Sequence, residues 1–298
     1  MLKRASLQTQ TLEVIAKSAF AKGGYLGIAY AGVNDDWLLL YDQTKARPAE
    51  WRLRAISLQN LREQTLGEFV DVDLQTVTRF LQVPDVGLSG DWVVLAQLAI
   101  DKSLPCKNTT TLEIRNLRTG EQRTLDERCT TDYLWFAPKI SGDNVIVEQD
   151  FPDAKGGGNR VVLFNLQTNT MTPLTDIGHS EPRISNVYAI WKNARRFDYA
   201  KQVGIYNLHD KHIQVLTLPD IAPKAYVNES FVYWWPSPLQ PLYAYNADQQ
   251  ELIQVATPAS GEGFWLINMY GNMIVWQRDP NATGIPEHTF IEWRELPK

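Results

Sequence analysis

The stretch SGDWVVLAQ at residues 89–97, followed by TLEIRNLRTGEQRTL at residues 111–125, decides the fold of this chain. A polar turn leads into an apolar strand, and a second strand ends at Asn116-Leu117 in a tight turn before a polar last strand. Val93-Val94-Leu95 is apolar at consecutive positions, and neighbours along a strand point to opposite faces. Both faces of this strand must therefore be buried between other strands.

The same pattern recurs along the whole chain. Six copies can be aligned, and 298 residues divided by six give about 50 residues per copy, as in β-propeller blades. Only parts of residues 9–22 and 72–82 have some helical periodicity. The sequence therefore predicts an all-β, six-bladed β-propeller of four-stranded antiparallel blades that forms one domain over residues 1–298. The predicted blades are 23–69, 80–127, 132–176, 179–218, 222–258 and 262–298.

The two ends of the chain predict how the ring closes. The sixth copy stops near Leu296, before its fourth strand, whereas residues 6–14 resemble the fourth strands at 121–126 and 250–257. A strand at residues 6–14 would complete the last blade and remove its open edge. A short helix in the N-terminal segment is the competing interpretation.

The repeat resembles that of the TolB-type, WD40-like six-bladed propellers, whose units end in an Asn-Leu-x-Thr-Gly turn and a Leu-Thr pair. The tails that carry this resemblance lie at residues 115–120, 164–175 and 205–217. The Ser-Gly-Asp turns at 89–91 and 141–143 depart from the Ser-Pro-Asp-Gly turn of that family, and the Gly-His and Trp-Asp signature of true WD40 repeats is absent. The resemblance covers most of residues 23–298. It implies a protein that binds other proteins or glycans, often outside the bacterial cytoplasm, and it implies no catalytic residues.

Composition and charge disfavour several classes of protein. The chain has 29 Lys and Arg against 34 Asp and Glu, a net charge of −5, and 44% hydrophobic residues. The composition is that of a folded protein, and the acidic balance disfavours nucleic acid and anionic membranes as partners. No apolar run approaches the ~18 residues of a membrane span. The N-terminus lacks a signal-peptide core, which leaves a cytoplasmic protein or, slightly favoured, an extracytoplasmic one whose leader has been removed.

The two cysteines, Cys106 and Cys129, lie outside any Cys-x-x-Cys motif. Cys106 is in the loop between the second and third strands of its copy, and Cys129 is in the connection to the next copy. Both positions fall on the same face of an up-and-down blade. Two alternatives remain open at this point: a disulfide, which would indicate an oxidising compartment, and two inert buried thiols.

A binding site is expected on the face that carries the long loops, because inserted loops on one rim commonly bind ligands or partners. The loops between second and third strands are predicted at Asp42–Glu50, Asp101–Thr111, Asp150–Asn159, Lys192–Lys201 and Arg278–His288. Within one of them, Lys192, Arg195 and Arg196 could form a basic patch for an acidic partner or a glycan carboxylate. A solvated rim of mixed charge is the alternative.

Aromatic and charged residues on the inner strands, near the predicted mouth of the central channel, complete the candidate surface. Aromatic rings there can stack on sugars or anchor a peptide, although packing in the core is the alternative role. These candidates are Tyr133, Trp135, His179, Glu181, Arg183, Tyr226 and Trp265.

Motifs for catalysis or metal binding have little support in the sequence. No Gly-x-Ser-x-Gly or His-Glu-x-x-His motif is present, and the four histidines lack zinc-like spacing. Asp150, Asp153 and Asn159 could hold calcium, but the alternating oxygen ligands are missing. The sequence therefore predicts a non-catalytic binding module for a protein or glycan, without metal or cofactor. The alternatives are a glycoside hydrolase or lyase with its site at the channel mouth, and a structural subunit of a larger assembly.

Overall fold

The computed structural model describes residues 2–6, 11–16, 28–46, 49–71, 84–100, 106, 108–152, 155–194, 199–222, 224–281 and 290–297. Within these ranges the chain forms strands and turns and no α-helix, so the all-β prediction is confirmed there. Accordingly, this part of the chain contains no helix with the length and hydropathy of a membrane span.

The strands follow one another in sheets along the chain. A two-stranded sheet consists of β1 (Leu2–Ser6) and β2 (Thr11–Ala16). The next sheet consists of β3 (Ile28–Val33), β4 (Trp37–Ala46), β5 (Ala49–Ser57) and β6 (Glu63–Asp71). It is followed by β7 (Asp85–Ser89), β8 (Trp92–Ile100), β9 (Asn108–Asn116) and β10 (Gln122–Cys129). Then come β11 (Leu134–Ser141), β12 (Asn144–Phe151), β13 (Gly158–Asn165) and β14 (Thr170–Pro173).

The remaining sheets continue the same order. One consists of β15 (Ser180–Ile184), β16 (Tyr188–Lys192), β17 (Ala200–Asn207) and β18 (Ile213–Ala222). The next consists of β19 (Ala225–Asn228), β20 (Phe231–Trp234), β21 (Leu242–Asn246) and β22 (Glu251–Ala256). The last consists of β23 (Gly263–Tyr270), β24 (Met273–Asp279) and β25 (Phe290–Glu295). These repeated four-stranded antiparallel sheets are consistent with a β-propeller.

The chain divides into two compact units, Met1–Gly142 and Asp143–Lys298. In the first unit, Leu39, Leu53 and Leu95 belong to an apolar core between the first two four-stranded sheets. Val93, Val94 and Leu95 are all fully buried, as their consecutive apolar pattern predicts. In the second unit, separate cores join β16 and β17 to β20 and β21, and β20 to β24.

The tight turn after the third strand has the same construction in successive sheets. A side-chain oxygen accepts hydrogen bonds from backbone N–H groups two or three residues later at Asn116, Asn165, Asn207 and Asn246. The residue after this Asn donates its N–H to the turn between the first two strands, as Leu117 does to the Asp91 carbonyl at 2.7 Å. The side-chain bonds are the physical reason for the recurring Asn, whereas the backbone bond of the next residue is made by Leu117 and equally by Ala247.

Two sequence-based expectations differ from the structure. The predicted loop Asp42–Glu50 is largely a continued hairpin, because β4 extends to Ala46 and pairs with β5 from Ala49. Residues 6–14, predicted as one strand, instead span parts of β1 and β2, which pair with each other. In the described residues the last sheet has three strands, so closure by residues 6–14 stays a prediction. The segment 72–82 lies outside the described residues.

Candidate functional site

In the second unit, Glu181 and Lys192 form an ion pair at the start of β15 and the end of β16. Oε1 of Glu181 lies 2.8 Å from Nζ of Lys192, whose side chain is only 5% exposed. The antiparallel ladder pairs Ser180 with Lys192, which brings the neighbouring Glu181 close to the lysine. A buried ammonium group needs a counter-charge, so this pairing is what allows Lys192 to be buried.

Glu181 is held in place by Glu148, a fully buried carboxylate on β12. Glu148 accepts a hydrogen bond from the backbone N–H of Glu181 at 3.0 Å and another from Nδ2 of Asn159 at 2.6 Å. The φ angle of Glu181 is 54°, a left-handed conformation that costs free energy in a residue with a side chain. The hydrogen bond from Glu181 to Glu148 offsets part of that cost and positions the Glu181 carboxylate.

Arg183 and Tyr226 form a second pair on the first strands of adjacent sheets. The Arg183 guanidinium lies 5.6 Å from the centroid of the Tyr226 ring. The Tyr226 ring also stacks with Tyr233 at 5.4 Å and with Trp235 at 5.7 Å. Burial raises the pKa of the Tyr226 phenol, so it is neutral at pH 7. Arg183, Tyr226 and Trp235 are each partly exposed, so a partner can reach a cation beside an aromatic stack.

The remaining candidates of the second unit are placed separately. Nδ1 of His179 lies 3.1 Å from the Asp176 carbonyl oxygen, which fixes the imidazole locally. Trp265 lies on β23 and is partly exposed, and its buried indole N–H has no hydrogen-bond partner among the described residues. Arg195 and Arg196 lie outside the described residues, so the predicted basic patch is described only at Lys192.

Tyr133 and Trp135 belong to the first unit, where both side chains bind one carboxylate. Oδ2 of Asp126 accepts hydrogen bonds from the Tyr133 hydroxyl at 2.9 Å and from Nε1 of Trp135 at 3.2 Å. The two rings meet edge to face at 4.9 Å. Because Trp135 is only 3% exposed, its ring packs in the protein and offers no open face to a ligand.

The two cysteines are joined by a disulfide in the structure. The Cα atoms of Cys106 and Cys129 are 5.6 Å apart, a separation common among disulfides. Cys129 is the last residue of β10 and pairs with Thr109 on β9. The disulfide therefore ties the end of β10 to Cys106, just before the start of β9. Of the two alternatives left by the sequence, the structure contains the disulfide.

The sequence names Glu181, Lys192, Arg183 and Tyr226 as candidates, but it does not indicate the residues that position them. Glu148 was hidden because it directly follows the apolar run of β12, and nothing local indicates that its carboxylate is buried. Trp235 directly follows the apolar strand β20, yet it is partly exposed beside Tyr226.

Comparison with known proteins shows similarity of fold only. No protein-family model and no curated protein sequence matches this chain. A prolyl endopeptidase structure matches with a TM-score of 0.62 at 14% identity, over 91% of this chain and 41% of the other. The chain thus spans about two fifths of that endopeptidase chain.

Two oligogalacturonate lyase structures match over nearly the whole chain. One, in complex with manganese, has a TM-score of 0.56 at 13% identity and is matched over 99% of this chain and 82% of the other. The other, from Vibrio parahaemolyticus, has a TM-score of 0.55 at 12% identity, over 99% and 83%. At such identities the similarity supports a shared propeller-like fold and assigns no activity. The narrower relation to TolB-type propellers stays a prediction.

Proposed function

We propose that this chain is a non-catalytic binding module for a protein or glycan partner. In this proposal the partner binds at the inner-strand surface, defined as Glu181, Arg183, Lys192, Tyr226 and Trp235. One observation carries the proposal: a partly exposed guanidinium beside an accessible aromatic stack. Arginine and large aromatic residues supply a disproportionate share of the binding energy at protein interfaces.

The surroundings of this surface support a role in recognition. Glu148 and Lys192 are buried polar groups that hold Glu181 in a strained backbone conformation. Strain and buried charge reduce stability, and such features are concentrated at binding and catalytic sites. A rigid surface also loses little conformational entropy when a partner binds.

The proposal is tested by measuring binding with and without Arg183. A glycan array and cross-linking with mass spectrometry identify the ligand, and the affinity of the purified chain for it is then measured. Arg183→Ala should weaken binding about tenfold or more because the cation beside the aromatic stack is lost. The matched control is Lys201→Ala, which also removes one positive charge from an exposed position of the same sheet. Equal affinities of the two variants would contradict the proposal.

The second candidate is a carbohydrate-active enzyme, and the fold similarity to two oligogalacturonate lyases favours testing it. One of those lyases is in complex with manganese. Among the described residues of this chain, no group of three or more His, Cys, Asp or Glu side chains is arranged to hold a metal ion. Assays of hydrolase and lyase activity, with and without added manganese, test this alternative. Turnover that is abolished by Glu181→Gln would establish an enzyme and overturn the non-catalytic module.

We also propose that the chain forms a six-bladed propeller closed by residues 6–14 as the fourth strand of the last blade, which requires this segment to exchange the β1–β2 pairing for the edge of β25. The outer strand β25 supports this, because Ile291 is 69% exposed and Trp293 is 64% exposed. A fourth strand would cover this apolar surface and pair the open edge of the sheet.

The disulfide further favours an oxidising, extracytoplasmic location.

A further inference from the structure

One of the repeated turns lacks the Asn carboxamide that caps the others. In the turn after β9, Oδ1 of Asn116 accepts hydrogen bonds from the N–H groups of Arg118 and Thr119, each at 2.9 Å. The turn after β5 has Ser57 in place of this Asn. Serine carries a hydroxyl where Asn has its carboxamide, and this hydroxyl accepts no hydrogen bond from the N–H groups of Gln59 and Asn60, which have no acceptor among the described residues.

The backbone of the two turns is otherwise the same. The N–H of Leu61 donates to the Ser57 carbonyl at 2.9 Å, as the N–H of Gly120 does to the Asn116 carbonyl at 2.9 Å. Both Leu61 and Gly120 have positive φ angles. The N–H groups of Gln59 and Asn60 therefore point to the space that an Asn carboxamide would occupy at position 57.

This vacant space opens into a cleft of the first unit. The cleft has a volume of about 380 Å³ and lies between the turn after β5 and the turn after β9. Ser57, Gln59, Asn60 and Arg62 line one side, and Arg118 lines the other. Its volume is within the range of small-ligand sites.

The charged groups of the cleft are paired, with one exception. Oδ1 of Asp36 accepts a hydrogen bond from Nε2 of Gln59 at 2.6 Å. Glu63 forms an ion pair with Arg54, and Arg118 forms one with Asp91. The Arg62 side chain is exposed and makes no hydrogen bond or ion pair with the described residues.

We propose that this cleft binds a carboxylate group. One carboxylate oxygen takes the place of the missing Asn oxygen and accepts hydrogen bonds from the N–H groups of Gln59 and Asn60. The other oxygen faces the Arg62 guanidinium, which binds carboxylates through charge-assisted hydrogen bonds. The carboxylate comes either from a free organic acid or from an acidic side chain of a peptide. The site lies in the first unit and does not depend on the inner-strand surface proposed above.

The test is an NMR titration of ¹⁵N-labelled protein, in which the backbone amide signals of Gln59 and Asn60 are monitored. One arm uses glutarate, and the other uses the capped peptide acetyl-Gly-Glu-Gly-amide. Sodium chloride at the same ionic strength is the control titrant. We expect saturable shifts of both amide signals. Tighter binding of the peptide identifies an acidic side chain as the ligand, and tighter binding of glutarate identifies a free acid.

Two variants separate this site from general anion effects. Ser57→Asn supplies the missing oxygen from the protein itself and should abolish the shifts while preserving the fold. Arg62→Gln should weaken binding about tenfold, because one charge-assisted hydrogen bond is lost. The matched control is His212→Gln, at the same position of the turn after β17, which should bind like the unmodified chain. Shifts that sodium chloride reproduces, or that persist unchanged in Ser57→Asn, overturn the proposal.

Discussion

At the scale of single residues, the turns after the third strands of five sheets place their fifth residue in the left-handed backbone conformation. The N–H of this residue reaches back to the carbonyl at the start of the turn, as Lys211 does to Asn207 at 3.0 Å. Side chains disfavour that conformation, and glycine adopts it freely. The residues at this position are Leu61, Gly120, Asn169, Lys211 and Gln250, with φ between 54° and 78°.

Lys211→Gly is therefore expected to stabilise the chain. It removes the side-chain cost of the left-handed conformation, and the greater freedom of glycine in the unfolded chain cancels part of the gain. We expect the free energy of unfolding to rise by about 0.5–1 kcal/mol. Urea denaturation measures this change.

The matched variant is Gly120→Ala at the same position of another turn. An added Cβ at Gly120 meets no heavy atom within 4 Å, so the substitution changes only the backbone preference. We expect the free energy of unfolding to fall by about 1 kcal/mol. Unchanged stability in both variants would show that the turn relaxes away from the left-handed conformation.

At the scale of elements, the disulfide ties the end of strand β10 to the residue region just before strand β9, at the edge of one sheet. Cys106 and Cys129 are separated by 23 residues in sequence. A crosslink over a loop of this length restricts the unfolded chain and stabilises the fold by about 3 kcal/mol. The Cys106→Ser and Cys129→Ser double variant should lose about this amount in guanidinium denaturation under oxidising conditions.

A reducing agent provides the control for this variant. The unmodified chain should lose the same stability when it is reduced, and the double variant should be insensitive. If reduction does not alter the unmodified chain, the thiols are not paired in solution. In that case the argument for an oxidising compartment also fails.

The polar pairs of the inner-strand surface also depend on whole elements. Glu148 and Glu181 are 33 residues apart in sequence, and they meet because β12 and β15 pack against each other in the second unit. Lys192 reaches Glu181 through the antiparallel pairing of β15 and β16. A local sequence pattern identifies each strand but not which side chains of different strands will touch.

At the scale of the whole molecule, deletion of residues 1–15 tests whether the N-terminal segment completes the last sheet. If it does, the deletion exposes an apolar edge, and the melting temperature should fall by at least ~5 °C. In the structure, β1 and β2 pair only with each other among the described residues. An unchanged melting temperature would show that this hairpin folds apart from the last sheet and would refute the closure.

The sequence by itself determined the strands and turns of this protein. Those features depend on residues close together in the chain: consecutive apolar positions such as Val93 to Leu95, and the Asn-Leu pairs whose hydrogen bonds stay within a few residues. It also identified Arg183 and Tyr226 as candidates, because each combines a recognition chemistry with a position near the start of a first strand.

Only the tertiary structure decided which candidates are available to a partner. Trp135 and Tyr226 are both aromatic residues on first strands, yet Trp135 is buried with its N–H on Asp126, and Tyr226 is partly exposed beside Arg183. The burial of Glu148 was likewise invisible in the sequence pattern. The physical reason is that burial and hydrogen-bond partners are set by packing between strands and turns that lie far apart in the chain.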